Sequence, residues 1–232
     1  MKTSVRSRIL PFAAAALLTG GLAPSLVKAA LIVVDDFESY ADSAALQAKW
    51  TFVGSNPDTA NVVPRSLDTS VAHTGSKSMR IDYNLGVAPN FGQVRTPPAI
   101  PDPPEQNWAN STKLEFWYLG QATNSLDRLS FRIASIFGGE IVNIPFPLEQ
   151  TRVTSWTRGV LDFSTFTPAQ KDLLDNVGHV RIGLAGVGGA TPSDFGSGVM
   201  WFDDIRVVPE PTALALAVLG ACGYLLRRRR LL

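Results

Sequence analysis

The chain has 232 residues, 45% of them hydrophobic, a formal net charge of +1 and a single cysteine, Cys222. A balance this close to neutral lacks the excess of basic residues that neutralises phosphates, which argues against nucleic acid as a partner. One cysteine cannot form an intramolecular disulfide, so the fold must be stabilised by a large hydrophobic core or by a metal.

The first element in chain order is a signal peptide. Three positive charges precede a mostly apolar run over residues 9–22, and Val27 and Ala29 are the small residues that a signal peptidase reads. We expect a helix through the apolar run and cleavage after Ala29 by signal peptidase. A permanent N-terminal anchor is the alternative, which the short length of the run disfavours.

The middle of the chain has the pattern of an all-β sandwich or barrel. Short alternating or apolar segments are separated there by clusters of Gly, Pro, Asn, Asp and Ser. We predict strands over residues 31–38, 50–53, 61–65, 78–84, 113–119, 129–135, 140–146, 157–162, 179–184 and 199–207. About 180 residues bury roughly 70% of their extended surface, so a core of this size is sufficient for stability.

One short helix is predicted among these strands. Thr167 and Gln170 form a capping box with Pro168 at the first helical position, so a helix is expected to begin there and continue through Asp175. Residues 97–104 contain five prolines and are expected to form a loop or an extended surface segment.

Four segments together resemble the jelly-roll modules of the galactose-binding-like superfamily, which includes many carbohydrate-binding modules. They are residues 35–38 (DDFE), 73–81 (HTGSKSMRI), 156–166 and 201–207 (WFDDIRV), in the order that those modules show. The resemblance implies that residues 31–207 form a jelly-roll β-sandwich of two antiparallel sheets.

The resemblance also implies a structural calcium ion. In such modules the first and last strands lie close together, and an acidic residue from each often holds Ca²⁺ beside the loop before a middle strand. Glu38 and Asp203 are then the side-chain ligands, with carbonyl oxygens from residues 74–77, and Asp36 and Asp204 are second choices. Oxygen ligands of this kind suit Ca²⁺, which takes six to eight of them.

The residue pattern of the last strand is consistent with such an ion. Strict alternation places Asp203 on one face with Ile205 and Val207, where a carboxylate needs a counter-charge. The alternative is that these acids face solvent at strand ends or pair with Arg80 and Arg206.

Aromatic residues are the candidates for binding sugar, because flat rings stack on the C–H faces of sugars. We single out Trp50, Trp108, Trp117 and Tyr118 as ligand-binding residues. Trp108 is expected to be the most exposed of them, since it lies in a polar segment between Asn107 and Asn110. Ordinary packing in the core is the alternative for all four.

Catalytic motifs are not apparent in the sequence, and we predict a protein that is not an enzyme and has no catalytic residues. His73 and His179 are the two histidines, and no nucleophile elbow, zinc motif or cysteine pair accompanies them. A carboxylate pair for glycoside hydrolysis depends on spacing in the fold, and Glu115 and Glu140 are the candidates for such a pair.

The C-terminal segment has the pattern of a membrane-targeting signal. Residues 208–212 (VPEPT) precede an apolar run to Leu226, which four arginines follow at once, Arg227, Arg228, Arg229 and Arg230. Residues 212–226 form roughly 22 Å of helix against a hydrocarbon core of about 30 Å, so the anchor is marginal. The arginines keep the C-terminus on the cytoplasmic side of the membrane.

This tail resembles the PEP-CTERM sorting signal of exported bacterial proteins over residues 208–232. The resemblance implies processing by an exosortase-type membrane enzyme near Pro209, Glu210 and Pro211, and release or attachment at the cell surface. Between the two processed ends, residues 31–209 hold 13 basic and 19 acidic residues, a net charge of −6, which again argues against nucleic acid.

These observations predict three parts: a signal peptide over residues 1–29, a jelly-roll domain over 31–207 and a sorting signal over 208–232. We expect an exported protein, transiently anchored in the membrane, that binds extracellular or cell-surface polysaccharide without cleaving it. A structural matrix protein with no defined glycan ligand is the first alternative, and a glycan-cleaving enzyme is the second.

Overall fold

The structure, a computed structural model, describes residues 31–52, 63–86, 91–96, 107–137, 139–185 and 196–210. Several predicted features lie outside these ranges: the signal peptide with Ala29, the proline-rich segment, and the sorting signal from Pro211 onwards with Arg227 to Arg230. Within the described ranges the longest helix has seven residues, and none is long and apolar enough to cross a membrane.

The described residues form eleven strands and two short α-helices. The strands are β1 (Ile32–Asp35), β2 (Thr51–Phe52), β3 (Arg65–Asp68), β4 (Ser78–Asn84), β5 (Phe91–Arg95), β6 (Ser111–Leu119), β7 (Arg128–Ser135), β8 (Glu140–Pro145), β9 (Thr157–Asp162), β10 (Val177–Ala185) and β11 (Ser197–Pro209). The helices are α1 (Ser43–Lys49) and α2 (Pro168–Asp172). Every predicted strand overlaps an observed one, although the segment predicted over 61–65 meets β3 only at Arg65.

The strands pair in antiparallel fashion and form two sheets. The six-stranded sheet has the order β3-β4-β11-β6-β9, and β1 also pairs with β11. The five-stranded sheet has the order β2-β5-β10-β7-β8. Apart from the consecutive pairs β3–β4 and β7–β8, neighbouring strands are not consecutive in the chain. The two sheets pack face to face. The predicted jelly-roll β-sandwich is confirmed.

The core lies between the sheets and is built from alternate residues of each strand. β6 contributes Leu114, Phe116 and Tyr118, and β7 contributes Phe131 among others, all of them buried. The rings of Phe116 and Phe131 stack across the sandwich with centroids 3.6 Å apart. Full burial of such a ring stabilises the fold by about 2–3 kcal/mol. The inner faces of the sheets therefore form the core, and the outer faces are available for binding.

β11 departs from the strict alternation that the sequence predicts. Asp204 has a φ of 48°, and the pairing with β6 shifts by one residue between Asp203 and Arg206, which is a β-bulge. Phe202 and Ile205 therefore both belong to the core, and Asp203 faces the outer side of the sheet. The prediction that Asp203 shares a face with Ile205 is wrong, because the bulge reverses the alternation.

The predicted capping box is confirmed at the start of α2. The hydroxyl of Thr167 accepts a hydrogen bond from the Gln170 N–H, and the Gln170 side chain accepts one from the Thr167 N–H. The helix ends at Asp172, earlier than predicted, and a 3₁₀ turn follows at Leu174–Asn176.

One α-helix and one strand were not predicted. Helix α1 begins after Asp42, whose side chain caps it, but it buries only Leu46 and so shows no apolar stripe. Strand β5 contains Gly92 and Gln93, which obscure its alternating pattern.

Candidate functional site

Glu38 lies in a turn after β1, not within the predicted first strand. Asp35 accepts a hydrogen bond from the Phe37 N–H at 2.9 Å, and Phe37 has a φ of 60°, which ends the strand. The Glu38 carboxylate then accepts hydrogen bonds from the N–H groups of Ser76 and Lys77, both at 2.8 Å. The bond from the Ser76 N–H contributes most to holding the pKa of Glu38 below its usual value.

Asp203 holds the same loop from the other side. Its side chain is fully buried and accepts hydrogen bonds from the N–H groups of His73 at 2.7 Å and Thr74 at 3.2 Å. Its second oxygen accepts one from the Asp204 N–H at 2.7 Å. Burial raises the pKa of Asp203 to about 6, although these bonds favour its charged form. Glu38 and Asp203 thus fix residues 73–77 to the end of β1 and to β11.

The two second-choice ligands lie apart from each other. Asp204 contacts the loop through the Nδ1 atom of His73 at 2.6 Å and the Thr74 hydroxyl at 2.9 Å. Asp36 is exposed and accepts a hydrogen bond from the Glu38 N–H at 3.2 Å. The loop therefore gathers Glu38, Asp203 and Asp204, but not Asp36.

This arrangement does not fit Ca²⁺. Amide N–H groups, not carbonyl oxygens, face the carboxylates of Glu38 and Asp203. An added Cβ on Gly75 would lie 2.4 Å from Oε1 of Glu38, so the loop backbone closes directly on that carboxylate. No group of three or more His, Cys, Asp or Glu residues in the described ranges is spaced to hold a metal. Calcium binding stays a prediction from the resemblance.

We expect the melting temperature, Tm, to be the same in excess Ca²⁺ and in excess chelator, because loop amides already bind both carboxylates. Differential scanning calorimetry on the full-length chain measures this, with Mg²⁺ as the control for general charge screening. A Tm higher by about 5 °C or more in Ca²⁺ alone would contradict the expectation and support the ligand set implied by the resemblance.

Three of the four aromatic residues predicted to bind sugar are buried. Trp50 and Trp108 have no exposed surface, and Tyr118 is 2% exposed. The ring of Trp108 stacks on Phe163, and the indole N–H of Trp50 donates to Asp35 at 2.8 Å. A ring without an exposed face cannot stack on a sugar, so these three predictions are wrong and the rings belong to the core.

Trp117 lies on the outer face of the six-stranded sheet but is covered. The imidazole of His73 stacks on it with centroids 3.8 Å apart, and Trp156 meets the same imidazole edge-on at 5.7 Å. Trp117 stays a predicted ligand residue, although His73 occupies the ring face that a sugar needs.

The outer face of the five-stranded sheet forms a groove of about 390 Å³. Its lining includes Phe91, Gln93, Ser130, Arg132, Asn143 and Pro145. These residues come from β5, β7 and β8, and the strand between them contributes Gly183, which has no side chain to fill the floor. The groove therefore combines an open floor, polar walls and the exposed ring of Phe91.

Three arginines, which we call the arginine row, lie side by side on adjacent strands of this sheet, and one of them, Arg132, also lines the groove. Arg181 of β10 is directly opposite Arg95 of β5 on one side and Arg132 of β7 on the other. Arg132 forms an ion pair with Glu140 at 3.0 Å. The Nε atoms of Arg95 and Arg132 are buried and have no hydrogen-bond partner among the described residues, which costs about 1–3 kcal/mol each.

His179 lies beside this row as a neutral acceptor. Its Nε2 accepts a hydrogen bond from Nε of Arg181 at 2.7 Å. Burial, followed by the charges of Arg181 and Arg95, lowers the pKa of His179 to about 4. Burial and the charges of Arg95 and Arg132 also lower the pKa of Arg181. The arginine row is thus positively charged, and among the described residues only the Arg132–Glu140 ion pair offsets this charge.

Sequence reasoning missed this row, although one signal was present. Arg132 and Arg181 each stand in the middle of a predicted strand between apolar neighbours, which marks an outward-facing position. The juxtaposition of the two depends on the pairing of β7 with β10, which no local pattern specifies.

The two carboxylates considered for glycoside hydrolysis do not form a pair. Glu115 belongs to β6 of the six-stranded sheet, whereas Glu140 belongs to β8 of the five-stranded sheet. Burial raises the pKa of Glu115, but Lys113 at 2.7 Å and two arginines outweigh this and hold it below its usual value. Both acids therefore act as ion-pair partners on different sheets.

No protein-family model matches the sequence, and no curated protein matches it significantly. Solved structures do share the fold. The family 11 carbohydrate-binding module of a cellulosomal cellulase of Clostridium thermocellum is 18% identical, with a TM-score of 0.48 over 78% of this chain and 95% of that one. A family 30 module from a second cellulosomal cellulase of that organism is 15% identical, with a TM-score of 0.44 over 78% and 98%.

An exo-β-agarase is also similar, at 12% identity and a TM-score of 0.50 over 72% of this chain. The match covers 24% of the agarase chain, so it concerns a fraction of that enzyme. At such identities the similarity concerns the fold alone.

Proposed function

We propose that the protein binds extracellular or cell-surface polysaccharide without cleaving it, through the groove on the outer face of the five-stranded sheet. The observation that carries this proposal is the combination of an open floor with an exposed aromatic ring at one end. Phe91 is 49% exposed and lines the groove. Polysaccharide is also the ligand class that the sequence resemblance implies.

The chemistry of the groove suits a sugar chain. Phe91 offers an apolar face for the C–H groups of one sugar ring, and the side chains of Gln93, Ser130 and Asn143 can donate to and accept from hydroxyls. An apolar surface with a few polar groups that fix orientation is typical of sites for small ligands.

Affinity gel electrophoresis of the full-length chain through soluble polysaccharides tests this proposal. We expect retardation by at least one polysaccharide, and Phe91→Ala is expected to weaken binding at least tenfold because the stacking face is lost. Phe137→Ala is the matched control, since Phe137 is 77% exposed but lies in the turn after β7, outside the groove lining.

Two results would contradict the proposal. Absence of retardation by every polysaccharide would favour the structural matrix role. Shortening of a polysaccharide during incubation would favour the glycan-cleaving enzyme.

Export and sorting belong to the same proposal, with signal peptidase and an exosortase-type enzyme as processing partners and the membrane as a transient anchor. Pro209 is the last residue of β11, and the Glu210 N–H donates to the carbonyl of Asn110 at 2.9 Å. The proposed processing site therefore follows the domain without a linker. Intact mass spectrometry of the cell-surface protein should show a chain that begins at Ala30 and ends near Pro211, and an unprocessed mass would overturn this part.

A further inference from the structure

The charge of the groove differs from that of the rest of the domain. The strands of the five-stranded sheet contain four arginines and one acidic residue, Glu140. The strands of the six-stranded sheet contain five basic and seven acidic residues. Positive charge is thus concentrated on one face of a domain that carries net negative charge.

The two faces also differ in how their basic residues are paired. On the six-stranded sheet Arg80 pairs with Asp82 at 2.6 Å, and Arg158 and Arg206 both approach Glu115. On the five-stranded sheet, Arg95, Arg128 and Arg181 have no ion pair with any described residue, and Arg132 has one. Arginines directly opposite each other destabilise a sheet, because like charges repel. The arrangement therefore does not serve the stability of the fold.

The arginine row also has buried hydrogen-bond donors without a partner among the described residues. The Nε atoms of Arg95 and Arg132 are buried and unpartnered in the described part of the chain. Both arginines flank Arg181 on adjacent strands, so the backbones of the three arginines lie in a row about 10 Å long. An anion bound beside the arginine row would accept hydrogen bonds from guanidinium N–H groups and reduce the repulsion among the three charges.

We infer that the ligand of this groove is an anionic polysaccharide, with carboxylate or sulfate groups bound by Arg95, Arg181 and Arg132. The inference rests on the proposed function and names its ligand class. Guanidinium groups present paired N–H donors that match the oxygens of carboxylate and sulfate, and they keep their charge at all physiological pH values. Phe91 then stacks on a sugar ring beyond the charged row.

Binding of the full-length chain to four probes tests the inference: polygalacturonate, dextran sulfate, neutral dextran and duplex DNA. We expect at least tenfold tighter binding to one of the first two than to neutral dextran, and higher salt to weaken that binding. Tighter binding to polygalacturonate identifies the bound group as a carboxylate, and tighter binding to dextran sulfate identifies it as a sulfate ester.

Single substitutions test whether the arginine row is responsible for this binding. Arg95→Gln is expected to weaken binding at least tenfold and to leave Tm unchanged or higher, because it removes a like charge and an unpartnered donor. Arg158→Gln is the matched control on the opposite sheet, where the same loss of charge should leave affinity unchanged. Wild-type affinity in Arg95→Gln, or an equal loss in Arg158→Gln, would overturn the inference.

The probes also separate this inference from the proposed function. Binding to neutral dextran alone would overturn the anionic ligand and leave polysaccharide binding intact. Binding to no polysaccharide would overturn both. Duplex DNA bound as tightly as the polysaccharides would overturn the inference, since it would mean that any polyanion suffices.

Discussion

Replacement of Asp35 with alanine is expected to lower the free energy of unfolding by about 3–5 kcal/mol. Asp35 is 4% exposed, and its carboxylate accepts hydrogen bonds from the Phe37 N–H, the Tyr40 hydroxyl and the Trp50 indole N–H. Trp50 has no exposed surface and Tyr40 only 6%, so water cannot replace the lost acceptor. Each buried donor left without a partner costs about 1–3 kcal/mol.

Urea denaturation of the full-length chain measures this loss. Asp36→Ala is the matched control, because Asp36 is the exposed neighbour with a single hydrogen bond to the Glu38 N–H, and its loss should cost under about 0.5 kcal/mol. Asp35→Asn keeps one acceptor oxygen, so its loss of unfolding free energy should lie between those of Asp35→Ala and Asp36→Ala. Equal stability of Asp35→Ala and wild type would mean that Asp35 does not organise the turn after β1.

The pH dependence of stability is expected to contain two opposing contributions between about pH 4.5 and 6. The folded pKa of His179 is lowered to about 4, so this residue's contribution is complete above its unfolded pKa and falls as the pH drops towards 4. The folded pKa of Asp203 is raised to about 6, so its contribution is present at low pH and falls as the pH rises through 6. The two slopes have opposite signs and nearly cancel.

Single variants should separate these slopes. His179→Gln keeps an acceptor for Arg181 but cannot titrate, so its stability should fall by about 1–2 kcal/mol from pH 4.5 to 6. In Asp203→Asn the free energy of unfolding should instead rise by a similar amount from pH 4.5 to 6. Denaturant unfolding in chelator at several pH values measures both slopes, and parallel curves for wild type and His179→Gln would show that His179 titrates normally in the folded chain.

Much of the fold was predictable from local pattern. Strands β4 and β9 were predicted to the residue, because their alternation is bounded by turn-forming residues on both sides. The pairing of β1 with β11 also agrees with the jelly-roll resemblance, which places the first and last strands together.

Other features depend on distant contacts and were not predictable. Trp108 stands among polar residues in the sequence, yet Phe163 covers its ring from more than fifty positions away. The bulge at Asp204 changes which β11 side chains reach the core, and nothing in the local sequence marks it. The arginine row likewise exists only after β5, β10 and β7 have paired in one register.

The position of β11 has a mechanical consequence. This strand pairs with β6 on one side and with β4 and β1 on the other, and it ends at Pro209, next to the proposed processing site. Tension applied at Glu210 along the strand loads the hydrogen bonds to the neighbouring strands on both sides, whereas tension along an edge strand loads those on one side only. If the protein is attached to the cell surface at this end, the pulling force acts on an interior strand. The domain should then stay folded under load while the five-stranded sheet holds a ligand.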